Sequence, residues 1–290
     1  DNDEAVEANK IKITYNDYPN TLFSGKTDVI DGVFEMTFMV PKDIRYNYGN
    51  GRIVYYAYDD VTREEAVGHF EDFVIGGSSS VIATDSIGPE LTIYLNNNAF
   101  KDGDASYEFP HFYANIYDEN GINTVGTGIG HDLLMIIDND PKQTYILNDY
   151  FSASNNSYQQ GQISYKMPEQ SEGQHSLTFR AWDLYNNSSI ASLNYQIVKG
   201  MDPQIHKVVT YPNPVESSED LTIQIEYDQP DEVIQTTIYL YDISGKLVLK
   251  HEQKGTQGIR WNMSNLNVGA GIYVYQVNIK TQTSNYVSKA

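Results

Sequence analysis

The sequence predicts an all-β chain of tandem immunoglobulin-like β-sandwich domains, and three observations carry that expectation. Tyrosine is abundant, with 24 in 290 residues, and aromatic and β-branched side chains suit a pleated, half-buried surface. Apolar and polar residues alternate over short segments, whereas no segment of useful length repeats at the helical period. Turn dipeptides such as Asp31-Gly32, Asn50-Gly51 and Asn120-Gly121 recur between those segments, at the spacing of sandwich strands.

The elements follow in order. Lys26–Ile30 and Val33–Val40 flank Asp31-Gly32, a strong hairpin signal, with Phe34, Met36, Phe38 and Val40 on one face. Asn50-Gly51 is expected to turn the chain into a strand over 52–58. Gly76 to Ser80 reads as a linker or long loop, so a first β-sandwich domain, incomplete at its N-terminus, is expected over 1–86. Alternation at Leu91, Ile93 and Leu95, then at Phe112, Ala114 and Ile116, opens a second sandwich over 87–200. Leu133 to Ile137 is continuously apolar, which predicts a strand buried on both faces. Leu177, Phe179 and Ala181, with Trp182 on the opposite face, and Leu193, Tyr195 and Ile197 complete this unit. A third domain is expected over 201–290, with strands at 237–241 and 246–250 around the turn residues Asp242 to Gly245.

Composition excludes several functions. With 19 basic against 39 acidic residues and a net charge of −20, the chain is repelled by nucleic acid and anionic lipid. It contains no cysteine, so neither disulfides nor a cysteine nucleophile exist within it. No run of eighteen apolar residues is present, so no transmembrane helix is expected. The first residues lack a basic and apolar leader, so any signal peptide is expected to have been left out or to lie upstream.

Three strings mark the last third: Tyr211-Pro212-Asn213-Pro214, then Tyr241-Asp242-Ile243-Ser244-Gly245-Lys246-Leu247-Val248, then Gly271-Ile272-Tyr273-Val274-Tyr275-Gln276-Val277. Pro212 and Pro214 remove ladder donors and so suit a sheet edge. In this order the strings resemble the C-terminal sorting domain of proteins exported by the type IX secretion system of Bacteroidetes. The ending Lys289-Ala290 departs from the family, whose members close on Lys followed by a β-branched run. The resemblance implies delivery through the periplasm to the cell surface and outer membrane. It also implies contact with the secretion machinery and outer-membrane shuttle proteins. Tyr211, Pro212, Asn213, Pro214, Gly245, Lys246, Gly271 and Tyr273 are the expected recognition residues, acting through backbone edges and the last hairpin.

The middle of the chain narrows the resemblance. Asp118-Glu119-Asn120-Gly121-Ile122-Asn123 is followed by Gly128-Ile129-Gly130-His131-Asp132, Leu147-Asn148-Asp149-Tyr150, Tyr158-Gln159-Gln160-Gly161 and Ala181-Trp182-Asp183-Leu184-Tyr185-Asn186-Asn187-Ser188. These strings, with Pro41-Lys42-Asp43-Ile44 before them, resemble the segment after the peptidase domain of the gingipain-like sortase family (peptidase family C25). That resemblance implies a Cys/His peptidase domain upstream, no catalytic residue in this chain, and a role in export, retention and docking. Two alternatives stay open: a surface adhesin or carbohydrate-binding cargo, and a cargo protease of the gingipain type.

Other candidates are simpler. His131 beside Asp132 could do acid–base work, although no nucleophile accompanies it. No cofactor is required, but Asp138 and Asp140 offer alternate oxygens and are candidate calcium ligands. Asp102 with Asp104, and Asp59-Asp60 with Glu64-Glu65, are comparable clusters. Tyr46, Tyr48, Tyr55, Tyr56 and Tyr58 are dense enough for a sugar platform, and Tyr56 and Tyr58 share a strand face. Asp85-Ser86-Ile87 resembles the O-glycosylation acceptor of this phylum.

Overall fold

The computed structural model describes residues 21–42, 48–77, 84–125, 130–216, 219–229, 234–255, 259–262, 268–280 and 285–289. Tyr46, Asp43, Ile44 and Gly128-Ile129 lie outside the described residues.

The first region pairs as two small ladders. Strands β1 (Gly49–Asn50), β2 (Ile53–Tyr58), β3 (Glu65–Phe70) and β4 (Val74–Ile75) form the antiparallel pairs β1–β4 and β2–β3. Asp59 closes the β2–β3 turn by accepting hydrogen bonds from the Val61 and Thr62 N–H groups, which hold its carboxyl below the usual range. Tyr56 and Tyr58 are both exposed on one face of β2. Asn50 lies in β1, and the Gly51 N–H bonds to the Phe73 carbonyl, so Asn50-Gly51 prolongs a ladder instead of turning. The Asp31-Gly32 turn forms, with φ of +51° and +78°. Its flanks keep only the Ile30–Val33 bridge and are not extended strands. Phe34, Phe38 and Val40 remain exposed, and the flanks are held by Phe38 stacking on Phe23, by Phe34 against Tyr55 and by the Asn156 N–H bonded to the Lys26 carbonyl, in place of a ladder of their own.

The middle region is a two-sheet sandwich. Its strands are β5 (Glu90–Leu95), β6 (Ala105–Ser106), β7 (His111–Tyr117), β8 (Leu134–Ile137), β9 (Thr144–Ile146), β10 (Phe151–Ala153), β11 (Gln160–Lys166), β12 (Gly173–Trp182) and β13 (Ser188–Ile197). One sheet has the order β10-β11-β7-β5 and the other β6-β13-β12-β8-β9. Leu95, Phe112, Ala114 and Ile116 point inward from the first sheet. Met135, Ile137, Leu177, Phe179, Ala181, Tyr195 and Ile197 meet them from the second. The alternation read in β5, β7, β12 and β13 is therefore the inner face. Strand β8 differs from expectation: Met135 and Ile137 are fully buried, but Leu134 and Ile136 are only half-buried. An antiparallel sandwich covers one face of each sheet, so the apolar run cannot be buried on both.

The last region is a second sandwich of β14 (Ile205–Tyr211), β15 (Asp220–Tyr227), β16 (Ile234–Asp242), β17 (Leu247–Gly255), β18 (Ile259–Asn262), β19 (Tyr273–Lys280) and β20 (Asn285–Lys289). The sheets run β14-β15-β18 and β17-β16-β19-β20. Ile223, Ile225, Tyr227, Ile234, Ile238, Val277 and Ile279 form its core. Strands β16 and β17 extend beyond the predicted segments because Gln235 to Leu240 pair without a break against Lys254 to Leu249. No helix among the described residues is long and apolar enough to cross a membrane.

Candidate functional site

Two of the three C-terminal strings meet at one sheet end. Asp242, the last residue of β16, accepts hydrogen bonds at one carboxylate oxygen from the Ser244 N–H (2.9 Å), the Ser244 hydroxyl (2.6 Å) and the Lys246 N–H (3.0 Å). The Ser244 hydroxyl, followed by the Lys246 amide, holds this carboxyl below the usual range. Gly245 sits at φ +82°, a conformation that favours glycine and explains its place in the string. Across the ladder Asp242 faces Tyr273, and Tyr241 faces both Val274 and Leu247. Tyr273 enters β19 with its hydroxyl donating to the Gly269 carbonyl at 2.7 Å. Tyr211 ends β14 opposite Thr222, and Pro212 and Pro214 then carry the chain out of the sheet. Six residues join Tyr227 to Ile234, so β15 and β16 share that end of the sandwich. Asp220, Tyr211 and Asp242 therefore lie at the opposite end, and all three strings gather there.

A second constellation went unread in the sequence. Asp85, Asp118 and Asp183 come from the stretch before β5, the end of β7 and the end of β12, and one oxygen of each lies within 4.8 Å of the others. Turn chemistry places them. Asp118 accepts from the Asn120 and Gly121 N–H groups at 2.8 and 3.0 Å. Asp183 accepts from the N–H groups of Tyr185 (2.9 Å) and Asn187 (2.7 Å) and from the Asn187 side-chain amide (2.7 Å). Asp85 accepts from the Ile87 N–H and the Asn120 side chain. Burial, reinforced by the charge of Asp183, pushes Asp118 up to about 6. Burial also raises Asp183, whereas the Ile87 amide lowers Asp85. The nearness of Asp85 adds to the rise of Asp183. The strings Asp118-Glu119-Asn120-Gly121 and Asp183 to Asn187 were visible as turns, but not their meeting across the sandwich.

The folded-state pKa of Asp118 lies above the unfolded value of 3.8. Its ionisation therefore costs stability above about pH 6, and the cost is relieved as pH falls toward 4. Asp118→Asn keeps an acceptor for both amides and removes the charge. The variant is expected to be about 1–2 kcal/mol more stable than the parent at pH 7.5, with the difference vanishing near pH 4. Thermal unfolding of both proteins across that range, in chelated buffer, checks it; a constant difference would show that the charge is not the cause.

Asp138 and Asp140, the predicted calcium residues, take part in local hydrogen bonds. Asp138 accepts from the Ser176 N–H at 2.8 Å and contacts His175 Nδ1 at 2.7 Å. Asp140 accepts from the Lys142 N–H at 2.9 Å, capping the short 3-10 turn Pro141–Gln143. Asp102 accepts from the Asn194 N–H and Asp104 from the Lys101 N–H. The trio of Asp85, Asp118 and Asp183 is the one group of three possible metal-ligating side chains among the described residues. His131 packs against Trp182, with ring centroids 4.4 Å apart. Ser171, His175 and Asp138 lie in the order of a hydrolytic triad. However, His175 Nε2 is 2.7 Å from the Ser171 carbonyl and 3.4 Å from its hydroxyl. That nitrogen donates to the carbonyl and is not poised to take the hydroxyl proton.

Comparison with known proteins adds the following. Residues 209–290 match the secretion system C-terminal sorting domain family. The chain is similar to dimeric latent PorU of Porphyromonas gingivalis, with 32% identity, covering 99% of this chain and 27% of that one, at a TM-score of 0.45. It is also similar to the N-terminal Ig1-2 module of the Drosophila receptor protein tyrosine phosphatase DLAR, at 10% identity, with 69% and 95% coverage and a TM-score of 0.28. A third likeness is to SGBP-B of a Bacteroides ovatus mixed-linkage glucan utilization locus, at 10% identity, with 83% and 61% coverage and a TM-score of 0.21. No curated protein sequence matches the chain.

Proposed function

We propose that this chain, which carries a sorting domain over residues 209–290, is the non-catalytic C-terminal β-region of a type IX secretion sortase. A sorting domain implies export to the cell surface and interaction with the secretion machinery. The observation that carries the finer reading is 32% identity to PorU across 99% of the chain. The chain spans about a quarter of that relative's length, 27%, and the absence of cysteine means that a cysteine peptidase centre would have to lie outside this chain. In this reading the sandwiches space the peptidase domain from the sorting domain. The sorting domain engages outer-membrane shuttle proteins after passage through the periplasm and then retains the protein at the outer membrane. Tyr211, Pro212, Asn213, Pro214, Gly245, Lys246, Gly271 and Tyr273 serve recognition and the integrity of the turn end, while Asp138 ties Ser176 and His175 and Asp140 caps a 3-10 turn.

The test is the intact mass of the native protein extracted from the surface of its own cells. The expected species carries a peptidase domain upstream and keeps the segment beyond Tyr273. A shorter species ending before Tyr211, with a glycolipid adduct, would make it a processed cargo instead.

A further inference from the structure

The outer face of the β10-β11-β7-β5 sheet in the middle sandwich is aromatic and uncharged at its centre. Leu95, Phe112, Ala114, Ile116 and Ile163 take the inner positions, so the alternate residues of β5, β7 and β11 point outward. Cross-strand register sets them in rungs. One rung is Tyr94, Tyr113 and Ser164, and the next is Thr92, Asn115 and Gln162. Neither rung holds an aliphatic hydrocarbon side chain or a formal charge, in a chain of net charge −20. Charges stand only at the margin of this face: Glu90 beyond one end, Lys166 beyond the other, and Lys26, which donates to Ser152 of β10 at 3.4 Å. Thr92, Asn115, Gln162 and Ser164 are exposed, and Tyr117, one rung further, is 44% exposed.

The side chains of this face are tied in place. Gln162 Nε2 donates to Asn115 Oδ1 at 3.0 Å and to the Tyr94 hydroxyl at 3.1 Å. Strand β7 separates β5 from β11, a span of about 10 Å at the usual strand spacing. Tyr94 therefore reaches Gln162 only by laying its ring across the sheet. The Tyr113 ring stacks with Tyr94, with centroids 5.2 Å apart and planes 19° apart, and His111 stacks with Tyr113 at 4.7 Å. His111 Nε2 is 2.8 Å from the Ser164 hydroxyl. Three rings thus form a continuous shelf beside two planar amides, and little side-chain entropy is left to lose when a ligand settles on it.

The chemistry of the shelf selects its ligand. A sugar ring offers C–H groups to an aromatic surface and hydroxyls to amides and phenols, and both kinds of partner are supplied here. A protein partner would anchor in an apolar centre, but every aliphatic side chain of β5, β7 and β11 packs on the core. A strongly charged ligand finds no countercharge within the two rungs. A single small molecule is held in a concavity, whereas a sheet surface covers one side of an extended polymer. We propose that the outer face of this sheet, centred on Tyr94, Tyr113, Asn115 and Gln162, binds a neutral glycan chain. The site is separate from the dense tyrosines of β2, and it does not depend on the sorting reading given above.

The test is native electrophoresis of the 290-residue chain through gels containing dextran, mannan, galactan or β-1,3-glucan, which are neutral, or polygalacturonate, which is acidic. Mobility is read relative to a gel without polysaccharide. At least one neutral polysaccharide is expected to retard the parent, and polygalacturonate is not. Asn115→Lys, at the exposed centre of the face, and Tyr94→Ala combined with Tyr113→Ala should each weaken that binding about tenfold or more. Tyr113→Phe, which keeps the ring, should retain it. The thermal midpoint of Asn115→Lys should stay within about 3 °C of the parent. If it falls further, Thr92→Lys decides, being exposed on the same rung and outside the Gln162 hydrogen bonds: lost retardation supports the face, and retained retardation rejects it. No retardation by any of the four neutral polysaccharides overturns the proposal, as does equal retardation by polygalacturonate or binding that survives the substitutions. A parent that is dimeric in solution, and that Asn115→Lys makes monomeric without loss of retardation, would assign the face to a second copy instead.

Discussion

Phe179→Ala is expected to cost the middle sandwich about 3–5 kcal/mol, a large share of the roughly 5–15 kcal/mol that holds a domain folded. Phe179 lies on β12, the strand between β13 and β8, and is fully buried. Its ring meets Phe112 of the opposite sheet with centroids 5.5 Å apart and planes tilted by 52°. The substitution therefore removes transfer free energy and leaves a cavity between two sheets that cannot close without breaking their ladders. Phe179→Leu retains most of the volume and should cost less than half as much. Denaturant unfolding of the three proteins checks this. A loss below about 1 kcal/mol for the alanine variant would mean that the sheets are not held through this contact.

Asp183→Ala is expected to be the next most damaging change, at about 2–4 kcal/mol near neutral pH. The carboxylate satisfies the Tyr185 and Asn187 amides and the Asn187 side chain, in a turn where Asn186 holds φ +70°. Removing it leaves those donors without their acceptor and frees a strained backbone position. An opposing effect exists, because the change relieves the crowding of three carboxylates and lets Asp118 ionise at lower cost. Three lost hydrogen bonds outweigh that relief. Asp118→Asn, in contrast, keeps its acceptor and loses only charge, so two aspartates of one cluster should shift stability in opposite directions. Thermal unfolding of both variants at pH 7.5 provides the test; shifts of the same sign would show that charge crowding, not capping, dominates the cluster.

The strands were legible because their signal is local. Phe112, Ala114 and Ile116, like Leu177, Phe179 and Ala181, alternate with polar neighbours because successive side chains point to opposite faces. The structure buries each of these sets between the sheets. The Asp242 to Gly245 turn was legible for the same reason: its hydrogen bonds close within five residues. Leu133 to Ile137 was misread because an apolar run does not say how many faces a fold will cover. The Asp31-Gly32 hairpin was overextended because turn chemistry forms a turn, whereas strands need a partner sheet.

By itself the sequence determined the all-β class, the inner faces of the middle strands and the sorting strings with their turn. Each of these is written in contacts between residues a few positions apart. Only the tertiary structure decided that Asp85, Asp118 and Asp183 converge, whereas Asp138 accepts from the Ser176 N–H and Asp140 caps a 3-10 turn. Only it could show that Ile243, Ile272 and Val274 stand exposed. Those arrangements depend on which strands become neighbours and on which end of a sandwich each connection returns to. Sheet topology fixes both, and no local pattern encodes it.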